Sequence, residues 1–341
     1  MSQGQQKGYR KLDRWALVKL LGSGGYADVY LGYDCANSTF AAVKVIRHSS
    51  RRECDFQSEA VLHSNFYHEH IIDIKSFHQS LVLQELDNTS QATPTIVMEY
   101  AKGGDLLSLV KNLGSLSETI GRTYFTQLLG AIEYIHGKGY CHQDIKLENI
   151  LLDENYCIKL GDFGCAKKLE PKKHLKRTFG TALYFTPEMN LRQPFSPSQA
   201  DIFAAAIVAF TTVIGHRPFE RATKDNQFYS LIHEKDFKEF WRAHGTVSER
   251  LAGNRDINAV SNDFKNLMVK MLSFDPQERL NLEQIKKDKW LRGEILTREQ
   301  LAFEISKLLV EKGIELQKSE DISFLATNGF ETAPAANVVS S

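Results

Sequence analysis

Apolar and polar positions alternate along the first part of the chain. Val29, Leu31 and Tyr33 fall on one side of one run, and Ala41, Val43 and Val45 on one side of the next. A period of two marks half-buried strands. Gly22–Gly25 separates Trp15–Leu21 from Ala27–Tyr33, which predicts a hairpin with an open, flexible tip. Residues 53–66 change to helical spacing, with Phe56, Ala60 and either Val61 or His63 turned inward. Strand-like runs return at Ile71–Phe77 and Thr95–Tyr100, and polar Gln84–Pro94 reads as a surface loop.

After Gly103-Gly104 the period lengthens. Residues 105–112 and 117–137 are helical, with Ile120, Tyr124, Leu128, Ala131 and Ile135 three or four apart. Short strands near 150–160, a long loop over 162–187 and further helices follow. A strand-rich part before a helix-rich part predicts an α+β chain of two lobes that join near Glu99–Gly104. Residues 1–14 are polar and expected to be a flexible segment. Residues 292–341 are expected to form a tail. Its helix, at about 297–317, carries the stripe Leu301, Ile305, Leu308 and Leu309; its small, polar end is expected to be disordered.

Composition narrows the classes. The 341 residues suffice for two domains, or one large domain with extensions. At 42% hydrophobic and 25% charged, a large core is attainable. Lys+Arg and Asp+Glu both number 42, so no net basic field exists to neutralise a phosphate backbone, and nucleic acid is not expected as a partner. The longest apolar run, Ile202–Gly215, is too short for a bilayer and is interrupted by Thr211 and Thr212; a buried helix and no membrane contact are expected. Cys35, Cys54, Cys141, Cys157 and Cys165 form no CxxC pair and suit a reducing, cytoplasmic setting, with nuclear access open. The polar start gives no expectation of a secretory leader.

Four signals carry chemistry. The first is Gly22-Ser23-Gly24-Gly25-Tyr26-Ala27-Asp28-Val29. Glycines at such a turn let backbone N–H groups approach phosphate oxygens, although alone it reads equally as a ligand-free hairpin tip. The second is Ala42-Val43-Lys44, where a lysine closing an apolar strand can pair with phosphates or simply face solvent. The third is Tyr140-Cys141-His142-Gln143-Asp144-Ile145-Lys146-Leu147-Glu148-Asn149: acid, base and amide in one turn, followed by the apolar Ile150-Leu151-Leu152 that would anchor it. The fourth is Gly161-Asp162-Phe163-Gly164, where a carboxylate between glycines can reach a metal while the phenylalanine docks inward.

In this order and at these separations the four resemble the signature set of eukaryotic protein kinases. The resemblance covers about residues 15–291. Gly180-Thr181 with Tyr184-Phe185-Thr186-Pro187-Glu188 resembles the segment that closes the activation loop. Asp201-Ile202-Phe203 resembles the start of the central helix, and Arg279 the arginine that pairs with the Pro-Glu glutamate. The resemblance implies a β-rich N-lobe (15–100) with one main helix and a helical C-lobe (101–291). It implies transfer of the ATP γ-phosphate, with Mg²⁺, to protein hydroxyls. The alternative is a pseudokinase scaffold that binds nucleotide without catalysis, against which Lys44, Asp144, Asn149 and Asp162 all count.

Roles follow from the same likeness. Asp144 orients the substrate hydroxyl and accepts its proton; Asp162 and Asn149 offer hard oxygens to Mg²⁺. Lys44 pairs with the α- and β-phosphates and is braced by Glu59, with Glu53 as the competitor. Leu21, Val29, Ala42 and Leu151 sandwich the adenine, Glu99–Ala101 meet its edge with Met98 behind, and Asp105 touches the ribose. Lys146 and Thr181 match the serine/threonine form of the loop. A regulatory partner such as calmodulin at the tail helix competes with simple packing of that helix on the domain. The layout leans toward the calcium/calmodulin-kinase-like or AMP-activated-kinase-like group.

Departures from the pattern carry their own expectations. Ala27 replaces a glycine and stiffens the phosphate loop; Ala206 replaces a glycine of the central helix. Gln143 stands where an arginine usually grips an activation-loop phosphate, so activity is expected to depend little on phosphorylation of Thr178, with Lys176 and Arg177 as partial compensation. His63 is expected to be a buried neutral histidine behind Glu59. Glu148 and Asp105 predict a preference for basic residues upstream of the acceptor.

Overall fold

A computed structural model describes residues 9–47, 53–170, 175, 178–251 and 256–314, with side chains of 53–55 left aside. The described residues divide into two units, the first comprising those from Tyr9 to Tyr67 together with Ile72–Ala101, the second His68–Ile71 together with those from Lys102 to Ile314. The division falls inside the expected Glu99–Gly104 junction.

In the first unit, β1 (Arg10–Leu12), β2 (Trp15–Ser23), β3 (Ala27–Asp34), β4 (Thr39–Ile46), β5 (Ile74–Gln84) and β6 (Ser90–Met98) close a barrel in the order β1-β2-β3-β4-β6-β5. Strand alternation sorts the side chains. Ala41, Val43 and Val45 of β4 pack inside with Leu12, Trp15, Leu17, Leu83 and Val97. Ala42 and Lys44 therefore fall on the opposite face. The helix α1 (Glu53–His63) buries Phe56 and Ala60 against Ala27, Ile46 and Ile96.

Two expectations change here. Residues 10–12, expected to be flexible, pair with both β2 and β5 and close the barrel. The stretch 84–94, read as a loop, is a hairpin: Gln84 pairs with Ser90 and Leu81 with Thr93, leaving only 85–89 as the turn. Its polarity misled because strand residues that face solvent are polar, while β-branched Thr93 and Thr95 are buried.

The second unit begins with β7 (Gly104–Asp105), α2 (Leu106–Leu113) and α3 (Glu118–Gly137), then β8 (Tyr140–Cys141), β9 (Ile150–Leu152), β10 (Ile158–Leu160) and β11 (Lys167–Lys168). The helices α4 (Pro187–Asn190), α5 (Pro197–Ile214), α6 (Tyr229–His233), α7 (Phe237–Arg250), α8 (Asn262–Met271), α9 (Leu282–Lys286) and α10 (Arg298–Glu311) complete it. At its centre lies α5, apolar all round and buried along nearly its whole length, with α3 and α8 packed on it. Ser196 caps its start with Pro197 in the first turn, and Gly215 at φ 91° ends it. By composition it is long and apolar enough to cross a membrane, but 89% of it is buried in the protein, the state of a core helix.

The tail helix α10 starts on a capping box between Thr297 and Gln300. Leu301, Ile305 and Leu309 are buried, Leu308 half-buried, and Arg298 meets Asp153 at 2.6 Å. The expected extension to residue 317 and the polar end lie outside the described residues, as do Lys176 and Arg177.

Candidate active site

The first unit brings its charged pair together through strand register and one helix face. Lys44 on β4 reaches Glu59 on α1 at 2.6 Å, both side chains about nine-tenths buried. Of the two candidate acids it is Glu59 that meets Lys44 among the described residues, the Glu53 side chain lying outside them. Tyr26, in the glycine turn, lays its ring 5.4 Å from the same ammonium. One helical turn beyond Glu59, His63 is buried and its Nε2 lies 2.7 Å from the Ile72 carbonyl, as expected of a satisfied core histidine; Val61 faces solvent.

The turn itself is short. The Gly24 N–H donates to the Ala27 carbonyl at 2.9 Å, which closes the tip. Asp28 accepts from Ser23 at 2.6 Å and from Arg47, which ties the two ends of the turn to the end of β4. The proposed nucleobase residues lie on neighbouring strands: Gly22 pairs with Val29, Val29 with Lys44, and Ala42 with Met98. Leu21 is 38% exposed and ready to be covered, whereas Ala42 and Ala101 are already buried. The Glu99 N–H donates to the Asp73 carbonyl at 2.8 Å, which fixes the path of the linker.

In the second unit Asp144 is bound on all sides. Lys146 Nζ donates to its Oδ2 at 2.7 Å, and Thr181 Oγ1 to its Oδ1 at 2.9 Å. Lys146 also donates to Thr181 Oγ1 at 2.9 Å, closing a three-membered ring of contacts. Asn149 Nδ2 donates to the Asp144 carbonyl and to Oδ2, at 2.8 and 3.1 Å. Charge-assisted bonds of this kind fix one rotamer. With its nitrogen so used, the Asn149 side chain keeps its oxygen, an acceptor, for a cation. Asp162 is exposed and sits at φ 57°, a left-handed conformation that lifts its carboxylate out while Phe163 is buried. Two hard oxygens of this kind fit a magnesium ion.

The loop that carries these groups hangs from α5. Asp201 accepts from the backbone N–H groups of His142 and Gln143 at 2.9 and 2.8 Å, and meets His136 at 2.9 Å. His142 lies 3.0 Å from the Gly161 carbonyl, and its ring is 4.7 Å from that of Phe163. One residue thus ties the third and fourth sequence signals together. Gly180, at φ 86°, lies so close that a Cβ would stand 2.3 Å from the Gln143 carbonyl and 2.9 Å from Asp144. Only glycine fits there.

Burial first, and then the negative fields of Asp144 and Asp162, push the Cys165 thiol up, so both carboxylates act on one neighbourhood. Gln143 takes φ 64° and donates to the Cys165 carbonyl at 3.3 Å; among the described residues its buried Oε1 has no partner. It therefore tethers the start of the activation segment without a charge. Asp105 caps α2, accepting from the Ser108 N–H at 2.8 Å, and pairs in register with Leu151. Glu188 and Arg279 form a buried two-pronged pair, at 3.1 and 2.9 Å.

Sequence reasoning missed the anchoring work of Asp201 and His142 and the close approach of Gly180. Asp201 had a signal, a carboxylate opening an otherwise apolar helix. His142 and Gly180 had none beyond their place in the motifs.

Residues 15–291 match the protein kinase domain family. CBL-interacting protein kinase 10 of Oryza sativa subsp. japonica is 30% identical over 292 residues, which is 84% of this chain and 59% of the relative. Serine/threonine-protein kinase SRK2F of Arabidopsis thaliana is 30% identical over 291 residues, 84% of this chain and 76% of the relative. SRK2E of the same plant is 29% identical over 283 residues, 82% and 71%. The chain spans about three-fifths of the length of the first of these.

Proposed function

Because the chain belongs to the protein kinase family, we propose that it is an active serine/threonine kinase that transfers the γ-phosphate of ATP to protein hydroxyls. The observation that carries this reading is the ring of contacts among Asp144, Lys146 and Thr181.

Phosphoryl transfer asks a protein for placement and charge more than for covalent help. Asp144 accepts the hydroxyl proton of the substrate serine or threonine as the hydroxyl oxygen attacks the γ-phosphorus and the bond to the β–γ bridging oxygen breaks, releasing ADP. Lys146, held beside Asp144, balances charge on the transferred group, and Thr181 keeps both in line. Lys44 binds the α- and β-phosphates, its amine positioned by Glu59. Asp162 and Asn149 would hold magnesium, which neutralises charge on the triphosphate when bound. The scaffold reading has nothing specific in its favour, since Lys44, Asp144, Asn149 and Asp162 are all present.

The upstream basic preference is supported by Glu148, exposed beside the catalytic loop, and by Asp105. Packing of the tail helix is supported by its buried Leu301, Ile305 and Leu309, while exposed Phe303 and Val310 leave an outward face for a partner. Truncation at residue 294 separates the two: unchanged activity or lowered stability supports packing, and raised activity supports inhibition. A cytoplasmic setting rests on the free thiols of Cys35, Cys141, Cys157 and Cys165.

The test is incubation with labelled ATP, Mg²⁺ and a general protein substrate, followed by acid hydrolysis. Label in phosphoserine and phosphothreonine is expected. Nucleotide binding with no transfer would establish the scaffold reading instead.

A further inference from the structure

Beside Leu183, two residues past Thr181, the second unit opens a cavity of about 500 Å³. Its walls are apolar: Leu183, Phe219, Phe228 and Val247. Phe219 is almost fully buried, so the wall is fixed by the core. His216 lines it too, its Nε2 3.0 Å from Nδ1 of His244, and the His244 ring stacks on Phe228 at 4.7 Å. Burial holds both imidazoles below their ordinary value, so they are neutral at pH 7. The positive charge of the site therefore comes from its mouth, where Arg217 and Arg221 stand exposed with Glu220 between them.

Four other arginines are already engaged. Arg10, Arg47, Arg242 and Arg298 each hold a carboxylate within 2.7 Å. Among the described residues, no ion pair or hydrogen bond joins Arg217 or Arg221 to a carboxylate; Arg221 feels Asp225, and Tyr184 feels Arg217, only through the field. An apolar hole with two unengaged guanidiniums is complementary to an apolar side chain with acidic neighbours. The hole also shares its wall with the acceptor-binding segment: Tyr184, next to Leu183, accepts through its hydroxyl from the Leu147 N–H at 3.3 Å.

We infer that this cavity docks a segment of the protein substrate that carries a large apolar residue flanked by carboxylates, fixing specificity at a second point beside the acceptor. The inference rests on the kinase reading and deepens it. Leu183, Phe219, Phe228 and Val247 take the apolar anchor, and Arg217 and Arg221 take the carboxylates.

The test reads docking directly, so that it does not depend on phosphate transfer. A fluorescent peptide with alanine in place of the acceptor carries leucine between glutamates, and its binding is followed by anisotropy. Two control peptides replace the leucine by alanine or the glutamates by lysine. Wild-type protein should bind the first peptide about tenfold tighter than either control, which is about 1.4 kcal/mol. The double variant Arg217→Glu/Arg221→Glu should reverse the charge preference, and Val247→Trp should remove the dependence on leucine. Equal binding of all three peptides by wild-type protein, or an unreversed preference in the double variant, would overturn the inference. Wild-type protein that binds selectively yet labels no general substrate would instead count against the kinase reading alone.

Discussion

The two charged centres are held in different ways. Lys44 meets Glu59, carried by a helix of 11 residues that buries Phe56, Ala60 and His63, and lies beneath the Tyr26 ring. Asp144 is bound by Lys146, Thr181 and Asn149, and its loop hangs from Asp201 by two N–H groups. The first centre joins one strand to one helix. The second is fixed several times over. A protein that must admit and release a nucleotide can keep its proton acceptor rigid while its phosphate clamp depends on the setting of a single helix.

The largest effect should come from the anchor of the fixed centre. Asp201→Asn turns one acceptor into a donor and leaves buried N–H groups unpaired, at a cost of about 2–5 kcal/mol. Thermal melting should show that loss, and kcat should fall about a hundredfold through displacement of the loop. An unchanged melting point would remove Asp201 from the account. Glu59→Gln weakens the Lys44–Glu59 contact of the other centre. A bond to a charged group contributes about 1.5–3 kcal/mol, so kcat/KM should fall about tenfold to a hundredfold with little change in melting. A large stability loss there would mean that the two centres are built alike.

The contrast also explains what could be read in advance. The strands β2, β3 and β4 were legible because one face of each is apolar, and α5 because nothing else fits a buried apolar run. Lys44, Asp144, Lys146, Asn149, Asp162 and Thr181 were named from their motifs and Glu59 from its place in the helix; Lys44 meets Glu59, and Asp144 meets Lys146, Asn149 and Thr181. The hairpin at 84–94 was not legible, since its outward residues are polar and its inward threonines do not look apolar. Nor was the barrel closure by residues 10–12, because pairing with β5 joins segments about 70 residues apart and leaves no local pattern. Asp201 was visible as a letter but not as an acceptor of two amides.

Smaller effects sharpen the comparison further. Gln143 already holds the activation segment by a neutral bond to Cys165, so Thr178→Ala should keep activity within about twofold, a change worth less than 0.5 kcal/mol. Loss of nearly all activity, with phosphate found on Thr178 of the wild-type protein, would show that the segment needs a charge after all. The smallest effect on catalysis is expected at the buried imidazoles. Burial lowers His216 and His244 from the ordinary 6.5, so the unfolded chain takes up protons that the folded chain refuses. Stability therefore rises with pH up to about 6.5 and falls as acid is added below it. His244→Phe should flatten that slope in melting curves between pH 4.5 and 6.5 and leave transfer unchanged.

The central claim is that Asp144 takes the proton in a phosphoryl transfer. Single-turnover rapid quench with Mg²⁺–ATP and a serine peptide, on wild type and Asp144→Asn, tests it most directly. The variant should bind nucleotide as wild type does and transfer phosphate about a thousandfold more slowly, in the range for loss of a positioned base. Equal rates for the two proteins would contradict the account.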